Sequence, residues 1–167
     1  KKCKNKKHFL QAYFHLDNDE NFWKMRIKSA EKLRVNTIGI NVDSPIRPIS
    51  YNKSDTGYDA RKHYYKLPKY YFRKKSSPLN WKTIGKIRKF TKKPIILKGI
   101  LSVEDAVKAQ SMGINGIWIS NHGGRNLETD LTSVEQLPLI KKRTKNKLKI
   151  IIDGGVRTGT DIIKCLS

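Results

Sequence analysis

The chain has 167 residues, 37% of them hydrophobic, with 36 basic against 14 acidic side chains and a formal net charge of +22. That length suits one compact domain, and no apolar run approaches a transmembrane helix or the core of a secretory leader. The charge alone would point to a polyanion such as nucleic acid. Against that, Lys and Arg are spread along the whole sequence, Lys141, Lys142 and Arg143 being among the densest runs. Most of these side chains are therefore read as solvated surface, and no specific nucleic-acid partner is expected. Cys3 and Cys165 lie far apart without metal-ligand spacing. They point to a reduced, cytoplasmic setting, with neither a structural disulfide nor a metal centre.

In chain order, the start Lys1-Lys2-Cys3-Lys4 has no initiator Met, and residues upstream of it are expected. Residues 8–14 form the first strand candidate, in which Gln11 and Tyr13 alternate with Leu10 and Ala12 and so share one side. Residues 19–34 place Trp23, Ile27 and Ala30 on one helical stripe. The next strand spans 37–43 and ends on Asp43. Residues 44–80 carry Pro45, Pro48, Gly57, Pro68 and Pro78 among many Tyr and Lys, which predicts a long loop or lid. Residues 81–91 repeat the helical stripe with Trp81, Ile84 and Ile87, and 94–98 is an apolar strand closed by Lys98. Ser102 and Asp105 predict a capping box, and Gly113 a left-handed stop to the helix between them. Strands at 116–121 and 148–153 flank a helix in 132–145 that contains Pro138, and Thr160 is expected to cap a last helix at 161–166.

Alternating strand and helix with nearly continuous apolar strands predicts a parallel sheet buried on both faces. Two α/β folds remain, a doubly wound sheet and a (β/α) barrel. Tyr13, Asp43, Lys98, His122 and Asp153 all stand where strands end. A barrel brings such ends together on one face, and no glycine fingerprint of a dinucleotide fold follows the first strand. The reading is a (β/α)8 TIM barrel with about five of its eight strands present, an incomplete barrel spanning 1–167.

Two segments carry the chemistry. In Ser120-Asn121-His122-Gly123-Gly124-Arg125, a histidine at a strand end can act as a base near neutral pH. Arg125, three residues on, can clamp a carboxylate with two hydrogen bonds. The plain alternative is a turn histidine beside a solvated arginine. Asp153-Gly154-Gly155-Val156-Arg157 leads into a helix and offers backbone N–H groups and positive charge to a phosphate; an ordinary tight turn is the alternative. A lysine at the end of an apolar strand is costly unless it meets an anion, although it can also snorkel to solvent. Asp43 can support His122 or cap its own loop.

Taken in order, Gln11-Ala12-Tyr13, Asn41-Val42-Asp43, the strand ending Lys98-Gly99, Ser120 to Arg125 and Asp153 to Asp161 resemble the FMN-dependent α-hydroxy-acid oxidase and dehydrogenase family, which includes glycolate oxidase and flavin-linked lactate dehydrogenase. The resemblance implies oxidation of a small α-hydroxy acid to the α-keto acid with FMN as cofactor. It makes His122 the base with Asp43 as its partner, and Tyr13 and Arg125 the substrate contacts. Gln11, Asn41, Lys98 and Ser120 would meet the flavin ring, and Asp153 the ribityl chain. Gly154, Gly155, Val156 and Arg157 would form the phosphate loop. Asn41 stands where the family often has Thr, and a second substrate arginine is not in register after Asp43, with Arg47 and Arg61 the nearest replacements. The resemblance further implies a tetramer, and peripheral membrane association if the protein is a dehydrogenase. It leaves the electron acceptor open among oxygen, a quinone and a cytochrome. Other readings are a catalytically silent remnant of such an enzyme, a related barrel using another phosphate cofactor and, from charge alone, a nucleic-acid-binding protein.

Overall fold

The computed structural model describes residues 11–16, 18–43, 79–124, 131–145 and 147–167, with the backbone alone at residues 13 and 15. The predicted loop or lid at 44–80 falls outside them except for its last two residues, as do Cys3 and Arg125.

Five strands form one sheet in sequence order: β1 (Gln11–His15), β2 (Thr37–Asn41), β3 (Ile95–Lys98), β4 (Gly116–Ile119) and β5 (Lys149–Ile152). Every neighbouring pair is parallel. A doubly wound sheet reverses its strand order at a switch point, and this one does not. With each crossover taking its usual right-handed course, the intervening helices fall on one face, as in an arc of a (β/α) barrel.

Those helices are α1 (Glu20–Lys32), α2 (Trp81–Phe90), α3 (Val103–Ser111), α4 (Ser133–Thr144) and α5 (Gly159–Leu166). Each begins at a side chain that accepts a hydrogen bond from a first-turn N–H: Asp19, Asn80, Ser102, Thr132 and Thr158. Ser102 accepts from the Asp105 N–H as expected. The last helix corrects the expectation that Thr160 caps it. Thr158 does so, because the carboxylate of Asp161 three residues on accepts from the Thr158 backbone N–H and hydroxyl, whereas Thr160 lies inside the helix. Helix α4 runs through Pro138, held at its start by a reciprocal Thr132–Glu135 box.

The core lies between sheet and helices. Ile38, Ile40, Ile95, Leu97, Ile117 and Ile119 are fully buried beneath Trp23, Ile27, Ile84, Ile87, Ala106, Ala109 and Ile140. Trp23 meets Phe90 edge-on, with ring centroids 5.3 Å apart, and so ties α1 to α2. The strands alternate, so this burial leaves the other face to Lys98, Trp118 and Ser120. Strands end one or two residues earlier than their polar residues suggested: Asp43, Asn121 and Asp153 sit just beyond β2, β4 and β5.

Two outcomes test this account. Replacing Ile117 with Ala should cost about 2–5 kcal/mol, read as a lower denaturant midpoint at unchanged slope. Glu20 bridges Lys24 on its own helix and Lys86 on α2 at 2.7 and 2.8 Å. The hydrogen bond from Lys24, then that from Lys86, lowers its pKa from 4.5 to about 2. A depressed carboxyl stabilises the fold above its unfolded value, so that contribution should be lost as the pH falls from about 4.5 through about 2. Chemical denaturation across that window should show a shallower pH dependence in Glu20→Gln.

Candidate active site

Parallel strands place all their carboxyl ends at one edge of the sheet, and Asp43, Lys98, His122 and Asp153 converge there, whereas Tyr13, expected at a strand end, lies mid-strand in β1. A cleft of about 510 Å³ opens among Lys98, His122, Gly123, Asp153 and Gly154, a size typical of small-molecule sites.

Lys98 ends β3 with its side chain only 15% exposed. Its Nζ donates to Ser120 Oγ at 2.7 Å, pairs with Asp153 Oδ2 at 3.1 Å and lies 5.0 Å from the Trp118 ring centroid. A cation at the end of an apolar strand is tolerated on these terms: an anion, a hydroxyl and an aromatic face replace its water. The other carboxylate oxygen, Asp153 Oδ1, is buried with no hydrogen-bond partner among the described residues.

His122 is held from two directions. Its Nε2 lies 3.0 Å from Asp43 Oδ1, and both side chains are 16% exposed. With the carboxylate as acceptor, the proton of a neutral ring sits on Nε2 and its basic lone pair on Nδ1. The backbone is wound by its neighbours: His122 N–H donates to Ser120 Oγ, Gly123 N–H to Asn121 Oδ1 at 3.0 Å and Gly124 N–H to the Asn121 carbonyl. His122, Gly123 and Gly124 all have positive φ, at 54°, 68° and 75°. Such a run needs glycine at most positions, and a histidine held there is strained, a feature that concentrates at functional sites.

Asp43 reaches His122 only because residue 99 has no side chain. A Cβ on Gly99 would lie 2.1 Å from Asp43 Cγ, and Gly99 itself has φ +97°. Sequence reading missed Gly99 as a determinant, along with Asn121 and Trp118. The signal for Asn121 was present, since an Asn ahead of two glycines commonly closes a turn with its side chain.

Other sequence-predicted residues stand further out. Gln11 is exposed in β1, Asn41 is half-buried at the end of β2, and Tyr13 is placed by backbone only. Gly155, Val156 and Arg157 are exposed and do not line the cleft. The backbone N–H groups of Arg157 and Thr158 donate to Asp161 Oδ2 at 3.1 and 2.9 Å. The Arg157 N–H is the main cause, followed by Thr158, of an Asp161 carboxyl held below its ordinary value.

Residues 1–167 match the sequence pattern of the FMN-dependent dehydrogenases. The chain belongs to that family. Among FMN-dependent dehydrogenase relatives, human 2-hydroxyacid oxidase 2 is 33% identical over 168 aligned positions, covering 95% of this chain and 47% of the oxidase. L-lactate dehydrogenase (cytochrome) of Saccharomyces cerevisiae is 32% identical, covering 94% of this chain and 30% of that protein. Solved structures of mandelate oxidase superpose with TM-scores of 0.77 (with (S)-2-phenylpropionate; 30% identity, 92% of this chain, 44% of that one) and 0.81 (28% identity, 93% and 46%). This chain therefore spans about half the length or less of these relatives. Its five parallel strands are an arc of a TIM barrel, in agreement with the sequence reading.

The Gly99–Asp43 contact yields a sharp outcome. Gly99→Ala should cost about 1–3 kcal/mol for its strained backbone and push Asp43 away from His122. The downfield imidazole N–H proton of that pair should then disappear from the NMR spectrum, while Gly113→Ala leaves it in place.

Proposed function

We propose that this chain carries the catalytic edge of an enzyme that oxidises a small L-α-hydroxy acid, lactate- or glycolate-like, to the α-keto acid with FMN. The observation that carries the reading is one cleft holding two side-chain pairs of different kinds: a histidine on a carboxylate, and a lysine on a second carboxylate whose other oxygen has no partner among the described residues. The printed names of the relatives, 2-hydroxyacid oxidase and L-lactate dehydrogenase, support the substrate class.

The residues present fit FMN. The buried Asp153 Oδ1 lacks a donor, which a ribityl hydroxyl would supply. Lys98 offers an ammonium beside it, and Gly123 and Gly154 give the cleft a low wall. Gln11, Asn41, Lys98 and Ser120 would contact the ring, and Gly154, Gly155, Val156 and Arg157 the phosphate end. Arg157 would act there by its side chain, because its N–H is occupied by Asp161.

Bound FMN supplies the acceptor for the two electrons that leave the substrate. The protein's part is position and protons. Arg125 would clamp the substrate carboxylate and Tyr13 its hydroxyl, presenting the carbinol to His122. His122 takes a proton from the substrate and becomes an imidazolium, whose charge Asp43 offsets across 3.0 Å. Lys98 would hold positive charge close to bound flavin, whose reduction brings negative charge. We further propose that residues 1–167 are part of one FMN-binding (β/α) barrel domain, acting in the cytoplasm within a homo-oligomer. Among the described residues no helix is long and apolar enough to cross a membrane.

The test is the complete polypeptide that contains this chain, titrated with FMN and given L-lactate or glycolate without oxygen. The flavin spectrum should bleach, and His122→Asn should slow bleaching by about 10²–10⁴-fold with FMN still bound. A polypeptide that takes up no FMN overturns the proposal.

A further inference from the structure

We propose that Trp118 is a positioning residue for Lys98: its indole is the platform on which the ammonium rests, and so fixes the point from which that charge acts in the cleft. This inference rests on the FMN reading for its consequence, but not for the contact itself.

Strand β4 reads Gly116-Ile117-Trp118-Ile119. Ile117 and Ile119 are fully buried on the helix side, so Trp118 and Ser120 face the other way. Trp118 is not among the described residues that make up the packed core between sheet and helices. The register pairs Trp118 directly with Lys98, as it pairs Leu97 with Ile117. Side chains of directly paired residues on one face are in contact, and here the Nζ lies 5.0 Å from the ring centroid. The two polar partners of Lys98 come from beyond the strand ends, Ser120 after β4 and Asp153 after β5. A four-carbon stem can reach two such acceptors through more than one set of rotamers. The flat ring beneath it removes that freedom and shields the ammonium from water on one side, where a cation–π contact is at its strongest.

Such a platform does work that an aliphatic side chain of similar bulk would not. With isoleucine at 118, Lys98 would keep Ser120 and Asp153 but lose the attraction that holds its head over the ring. The charge would shift toward solvent, and the preference of the site for reduced over oxidised flavin would weaken. Phenylalanine keeps a ring face and should keep most of the effect.

The experiment uses the complete polypeptide as wild type, Trp118→Ile and Trp118→Phe, with lysine labelled at Cε and the Lys98 resonance assigned by Lys98→Arg. Without flavin, the Lys98 Hε protons should be shifted upfield by the ring current in wild type and Trp118→Phe, and return to the ordinary lysine position in Trp118→Ile. With FMN, the ratio of affinities for reduced and oxidised flavin, taken from the midpoint potentials of bound and free FMN, should fall about three- to tenfold in Trp118→Ile. It should stay near wild type in Trp118→Phe. An unshifted Lys98 resonance in wild type overturns the proposal whatever the flavin does. An unchanged affinity ratio in a folded Trp118→Ile that has lost the shift overturns the role in the site. Absence of FMN binding by wild type, with the ring-current shift present, sinks the proposed function and supports the Trp118 contact. Should Trp118→Ile not fold, Trp118→Met supplies the ring-free variant for both readings.

Discussion

The ammonium of Lys98 is the charge around which this edge of the sheet is organised. It stands at the end of a strand whose other residues, Ile95, Ile96 and Leu97, are buried. A cation in such a place must meet an anion and further dipoles, or the strand end would open to water. Trp118 in β4, Ser120 just after it and Asp153 just after β5 meet that need. Their convergence depends on the parallel register of β3, β4 and β5. A slip of β4 by one residue would turn Trp118 and Ser120 toward the helices and send Ile117 and Ile119 to the cleft.

Stability and chemistry are thereby assigned to opposite sides of the same strands. On the helix side, the strand isoleucines, Leu97 and the apolar stripes of α1 to α4 that cover them are buried. At the carboxyl edge the residues are polar, half-exposed and in places strained, with His122 in a left-handed conformation as the clearest case. The two tasks meet at Ser120. It is fully buried, and its hydroxyl both accepts from Lys98 and receives the N–H that fixes His122. A change there would disturb His122 and Lys98 together, although neither touches the other directly.

Much of this was legible in the residues. An apolar run closed by one polar side chain marks a strand end, and that pattern located Lys98, His122 and Asp153. The parallel arc followed from alternating strand and helix patterns. Less was legible where three-dimensional approach decides. Trp118 reads as one more member of an apolar run, because one-dimensional hydrophobicity does not report the face it takes. Gly99 reads as a turn after a strand; that it yields space to Asp43, 56 positions earlier, depends on the pairing of β2 with β3. The choice between Thr158 and Thr160 as helix cap turned on the residue three positions on. That residue is Asp161 for one and Ile163 for the other, so a stricter reading of the box would have decided it.

The turn after His122 carries one more consequence, and it is stereochemical. A Cβ added at Gly123 or Gly124 meets nothing within 4 Å among the described residues, so these do not exclude a side chain there. What excludes it is handedness, because both positions occupy the mirror-image region that L-residues avoid. Gly99 differs, since there the space itself is taken. A D-alanine introduced by chemical ligation at 123 or 124 would suit the turn and reduce the freedom of the unfolded chain. The same residue at 99 would follow the backbone's preference more closely than L-alanine does.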